Sequence, residues 1–87
     1  MDSISIECQA RRMENQGNWV GALGMWKKVN RKSDIEAVEM IIEANRKGDR
    51  YRELTAGVVE DWEKRKLNNR ELHEKLEAAH NRVYRNT

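Results

Sequence analysis

Residues 10–29 read ARRMENQGNWVGALGMWKKV, and the positions that decide the fold are Ala10, Glu14, Gly17, Trp19, Ala22, Trp26 and Val29. Counting from Gly17, an aromatic follows two residues on, Ala22 five on and a second aromatic nine on. This is the pattern of a tight helical hairpin, in which a glycine turns the chain, alanines let two backbones approach and aromatics fill the flanks. On the first arm Ile6, Ala10 and Met13 fall at i, i+4 and i+7; on the second, Trp19, Ala22, Leu23, Trp26 and Val29 share one helical face. Asp2 or Ser3 can cap the first helix, and Asn18 the second. Gly21 and Gly24 lie inside the second helix, each costing roughly 1 kcal/mol of propensity relative to Ala, which predicts a close approach by the first helix there. Tetratricopeptide repeats use the same spacing, but neither 49–67 nor 69–84 repeats it, which excludes a superhelical array.

Further along, Ser33 and Glu36 are spaced as a capping box that opens a third helix with Val38, Ile41 and Ile42 inward. Gly48 and Asp49 close it and start a fourth, in which Tyr51, Leu54, Val58 and Trp62 share a stripe. Asn68 and Glu71 repeat the cap spacing, and the last helix, 69–84, carries Leu72, Leu76, Ala79 and Val83 at heptad intervals. The expected fold is a single all-α domain over 1–87. It comprises four or five short helices built around a hairpin at 1–30, with Trp19, Trp26, Ile41, Leu54 and Trp62 in the core.

Composition narrows the function classes. The chain has 87 residues, 38% hydrophobic and 37% charged, with one Cys and no Pro or Phe. Folding a chain of this length buries roughly 60–65% of its extended surface, a core too thin to enclose a catalytic cavity. Three Trp, four Met and regularly spaced aliphatic residues argue against disorder. The net charge is +2; charges cancel over 1–49, and the excess lies in 50–87. A chain that grips duplex DNA unaided usually carries a larger positive excess on one face. Cys8 has no second cysteine to pair with, and no Cys/His cluster offers a zinc site. The N-terminal residues lack a signal-peptide pattern, and the longest apolar run, 40–42, is far too short to span a bilayer. A cytoplasmic protein without membrane contact is expected.

Ala10, Glu14, Gly17, Trp19, Ala22, Trp26 and Val29 also resemble the PerC-like family of small enterobacterial transcriptional regulators, whose members show these residue types at similar offsets. The resemblance continues through Ser33, Asp34, Glu36, Glu39, Ile41 and Arg46 and covers roughly residues 8–47. It departs at Met40, near which the family carries a Trp, and after Arg46, where the family carries a Cys. Residues 51–87 lie outside it. The resemblance implies a small cytoplasmic regulator, often carried on prophages, plasmids or other mobile genetic elements, that adjusts expression of other genes without a cofactor. Contact with DNA and contact with another regulator both remain compatible with such a fold.

The residues bear on that choice. Basic clusters stand at Lys27, Lys28, Arg31 and Lys32, at Arg46, Lys47, Arg50 and Arg52, and at Lys64, Arg65 and Lys66, each at an inferred helix end where cations complement the backbone dipole. Lys27, Lys28, Arg31 and Lys32 are the candidate nucleic-acid contacts. The third cluster is offset by Glu60, Asp61 and Glu63. His73 and His80 are two helical turns apart, roughly 10 Å, too far to share a metal, and read as surface residues. No serine, threonine or cysteine stands in a nucleophile–base spacing, and the glycines form no phosphate loop, so no catalytic residue is assigned. The stripe Leu72, Leu76, Ala79 and Val83, rimmed by Glu71, Lys75, Glu77 and Arg82, is the candidate contact for a partner protein or a second copy; the other reading packs it on the chain's own helices. Regulation mainly through protein contact with weak DNA binding is expected. The alternative is a phage- or plasmid-encoded adaptor or inhibitor that docks on a host protein through this helix.

Overall fold

The computed structural model describes residues 3–84, and among them the chain is all-α without a strand: α1 (Ser3–Asn15), α2 (Trp19–Lys28), α3 (Lys32–Asn45), α4 (Asp49–Glu63) and α5 (Asn69–Tyr84). The five helices match the expected class. Within the expected single domain, the chain divides into two compact units, 1–42 and 43–87, with the division inside α3. Each unit is organised by a sequence-local pair, α1 with α2 and α4 with α5. The links at 16–18 and 64–68 are short, and short links make consecutive helices neighbours.

In a chain without proline, backbone left-handed turns end the helices. After α1, Gly17 takes φ +78°, with Gly17 N–H donating to Glu14 O at 3.0 Å and Asn18 N–H to Met13 O at 2.8 Å. This double bond pattern satisfies the last carbonyls of the helix. After α2 the same device uses Asn30 (φ 54°), with Arg31 N–H reaching Trp26 O at 3.2 Å. After α4 it uses Arg65 (φ 60°), with Lys66 N–H on Asp61 O at 2.9 Å. An arginine in that conformation carries no composition signal, which is why the pattern placed the break at Asn68 and Asn69 although α4 ends at Glu63. The Arg65 guanidinium lies over the Trp62 ring, 4.6 Å from its centroid.

The expected caps fare unevenly. Asn18 accepts from Gly21 N–H at 3.1 Å, and Asn68 and Glu71 form a reciprocal box, with Glu71 N–H on Asn68 Oδ1 at 2.8 Å and Asn68 N–H on Glu71 Oε1 at 3.2 Å. Ser33 does not open α3. The helix starts at Lys32, and Arg31 O accepts from Ile35 N–H at 2.9 Å, so Ser33 sits within the first turn. α1 likewise begins at Ser3 itself, while Asp2, the other candidate cap, lies outside the described residues. The glycines of α2 do not mark an approach by α1. A Cβ on Gly21 would strike the Asn18 capping side chain, 2.6 Å from Nδ2, and one on Gly24 would meet open space.

In the first unit Ala10, Ala22, Trp26, Val38 and Ile41 are fully buried, and Trp19 is only half-buried. In the second, Tyr51, Thr55, Trp62, Leu72 and Leu76 are buried, whereas Leu54 is 40% exposed. The inward face of α4 therefore centres on Thr55 rather than on the Leu54 side of the stripe. A hydroxyl can occupy that position because Thr55 Oγ1 donates back to Tyr51 O at 3.0 Å. Two indole and phenol groups tie the pair across its length: Trp62 Nε1 donates to Asn69 Oδ1 at 3.2 Å and the Tyr51 hydroxyl to Leu76 O at 2.7 Å.

Candidate functional site

Two residues of the hairpin pattern, Glu14 and Trp26, meet between α1 and α2. The Trp26 indole N–H donates to Glu14 Oε2 at 2.8 Å, and Glu14 is a carboxylate only 4% exposed. Arg11 and Arg31 stand by the ring, with guanidinium carbons 6.0 Å and 5.7 Å from its centroid. Arg31 also pairs with Glu7 and, at 3.3 Å, with Asp34, whose side chain is nearly buried in the first turn of α3. The cation cluster expected to face DNA is thus divided: Arg31 joins α1, Trp26 and α3 inside the first unit. Lys27, Lys28 and Lys32 remain on the surface, with no ion pair among the described residues.

The other basic clusters are answered by nearby acids. Arg46 lies 3.8 Å from Glu43, and Arg52 lies 3.8 Å from Asp49 while donating to Asn45 O at 2.9 Å. Lys64 hydrogen-bonds Glu60 at 2.7 Å; this contact holds the Glu60 carboxyl below its ordinary range and raises the Lys64 ammonium above its own. Arg70 pairs with Glu74 at 3.2 Å. These one-turn pairs are solvent-exposed and individually weak, but they scatter the positive charge instead of gathering it on one face.

The α5 stripe is interior. Leu72 is fully buried and Leu76 is 6% exposed within the α4/α5 pair, leaving Ala79 and Val83 half-buried beyond them. The expected partner contact at Leu72, Leu76, Ala79 and Val83 is corrected accordingly: its two largest side chains are core. The heptad spacing that suggested an external partner is satisfied by α4, because a narrow apolar stripe fits one neighbouring helix whether that helix belongs to the same chain or another.

A group of residues that the sequence reading left unconnected converges where α5 ends beside the α3–α4 turn. Lys47 Nζ lies 3.2 Å from His80 Nδ1 and 5.1 Å from the centroid of the Tyr51 ring. The His80 and Tyr84 rings are 4.7 Å apart, and the Tyr84 hydroxyl donates to Lys47 O at 2.6 Å. Tyr51 meets His80 edge-on at 6.4 Å; its hydroxyl is pushed above the ordinary tyrosine range, first by burial and then by Tyr84. His80 is therefore half-buried and engaged, not a surface histidine. The spacing of His80 and Tyr84, one turn apart, is the sole signal the sequence offers for this group, and nothing in it points to Lys47. His73 is exposed and faces Glu77 at 3.4 Å.

Cys8 is exposed on α1. Among the described residues no cluster of His, Cys, Asp and Glu could hold a metal ion, and no helix is long and apolar enough to cross a membrane. No protein-family model, curated protein or solved structure matches the chain.

Proposed function

We propose that this chain is a small transcriptional regulator of the PerC-like kind that acts mainly through contact with another protein and has weak or no autonomous DNA binding. The observation that carries the second part is the fate of the basic residues. Arg31 is drawn into Glu7, Asp34 and the Trp26 ring, and the remaining clusters are interleaved with Glu43, Asp49, Glu60 and Glu74. A strong nonspecific grip on duplex DNA neutralises about six to ten phosphates from one face. A chain of net charge +2, with Arg31, Arg46, Arg52, Lys64 and Arg70 paired to its own acids, falls short of such a face.

Support for the regulator class comes from the residues of the resemblance. Ala10, Glu14, Ala22 and Trp26 are all buried in one hairpin, so the residues that carry the resemblance are scaffold residues of this chain. Any protein contact uses exposed surface, since Leu72 and Leu76 are occupied internally. The same burial weighs against the adaptor alternative as first framed, because it relied on those side chains.

Expression of the chain in an enterobacterial host is the test. The expected outcome is a reproducible change in transcript levels of a limited gene set, retained when Lys27, Lys28 and Lys32 are changed together to Gln. Unchanged transcripts alongside a stable complex with a host enzyme or phage protein would establish the adaptor instead.

A further inference from the structure

α4 carries two stripes. Tyr51, Thr55 and Trp62 are buried on the side it shares with α5, where the Tyr51 hydroxyl donates to Leu76 O and Trp62 Nε1 to Asn69 Oδ1. The second stripe is Arg50, Leu54, Gly57 and Asp61, which at about 100° per residue fall within an arc of about 60°. Arg50 and Gly57 are exposed, Leu54 is 40% exposed and Asp61 is half-buried. The chain's own packing does not call for these residues. A Cβ on Gly57 would meet nothing within 4 Å, so the glycine gives up helix propensity without relieving any contact. Among the described residues Arg50 and Asp61 enter no ion pair, while their neighbours Arg52 and Lys64 pair with Asp49 and Glu60.

The order of the stripe is its own complement. The spacings are 4, 3 and 4 residues, and the types run cation, large apolar, no side chain, anion. When an identical stripe is turned end for end against it, about a two-fold axis level with the Thr55–Ala56 bond, residue 50 meets 61 and residue 54 meets 57. Each Leu54 then enters the gap over Gly57 of the second copy, and each Arg50 faces an Asp61, so every contact is made twice. The glycine lets the two helix axes approach to about 8 Å, the close end of helix packing.

We propose that α4 is a self-association face, through which two copies of this chain pair antiparallel at Arg50, Leu54, Gly57 and Asp61. The occupant is a second copy because charge and shape are complementary under the very rotation that exchanges two identical chains. The pairing is independent of the regulator reading and leaves the α4/α5 core in place. Its area is one helix face, below the roughly 1,200 Å² at which stable complexes begin. Glu53 and Glu60 add like charge along one edge, only partly offset by Lys64 on Glu60. A weak, reversible dimer is therefore expected.

Sedimentation equilibrium of the full-length chain from about 10 µM to about 1 mM tests this, and the unaltered chain is expected to pass from monomer toward dimer across that range. Arg50→Asp and Asp61→Arg are each expected to weaken association roughly tenfold, because both reciprocal pairs become repulsive. An equimolar mixture of the two variants is expected to restore it, since each supplies the charge that the other has lost. A residue that merely supports the fold offers no such rescue. Both changes also suit the helix dipole, with an anion near the N-terminus and a cation near the C-terminus, so helicity is retained. Gly57→Leu is expected to block the pairing while circular dichroism holds or gains helix. A chain that stays monomeric to about 1 mM would overturn the proposal. So would a dimer that the single reversals or Gly57→Leu leave unchanged, or one that the mixture fails to recover.

Discussion

Replacing Trp26 with Ala is expected to destabilise the chain by about 3–5 kcal/mol, a large share of the roughly 5–15 kcal/mol that holds a small domain together. Trp26 is fully buried, and its removal leaves a cavity in the core of the first unit. It also withdraws the indole donor from Glu14, leaving a buried carboxylate one hydrogen bond short. Trp26→Phe separates the two contributions: it keeps most of the ring volume and loses only the donor, so a cost of about 1–3 kcal/mol is expected. Urea unfolding followed by circular dichroism measures both. A cost below about 1 kcal/mol for Trp26→Ala would mean that the hairpin core is not organised around this side chain.

The double change Leu72→Asp and Leu76→Asp is expected to unfold the second unit outright. Leu72 is fully buried, Leu76 nearly so, and their neighbours Tyr51 and Trp62 have already committed their polar atoms to Leu76 O and Asn69 Oδ1. Two carboxylates placed there would lie without a donor, in addition to the apolar contact they replace, a combined loss well above about 5 kcal/mol. The expected observation is loss of roughly half the helical signal, with an open and rapidly exchanging 43–87 segment. Retained helicity with loss of self-association or of a protein complex would instead make the stripe an external docking face.

What was legible in the sequence follows from the range of each signal. Gly17, Asn18, Asn68 and Glu71 act within four residues of themselves, and the turns and caps they predict are present. Trp26, Ile41 and Trp62 were identified as core because helical periodicity reports which face turns inward. Periodicity does not report what that face meets. The stripe at Leu72 and Leu76 suits a partner or the chain's own helices alike, and α4 covers it; Arg31 clusters with Lys27, Lys28 and Lys32 in sequence but pairs with Glu7, distant in the chain. The Arg65 turn escaped notice because its backbone conformation is one that glycine or asparagine usually marks. The Lys47–His80 contact lay beyond any local pattern, spanning 33 residues.

The central proposal is that this chain acts without relying on its own hold on DNA, and the most direct measurement is the affinity of the purified chain for promoter and nonspecific duplexes as salt is raised. The account predicts no nanomolar binding near about 0.15 M salt, with whatever association exists at about 50 mM fading steeply and without preference for sequence. Nanomolar, sequence-dependent binding at physiological salt, abolished by changing Lys27, Lys28 and Lys32 to Gln while the fold is kept, would contradict it.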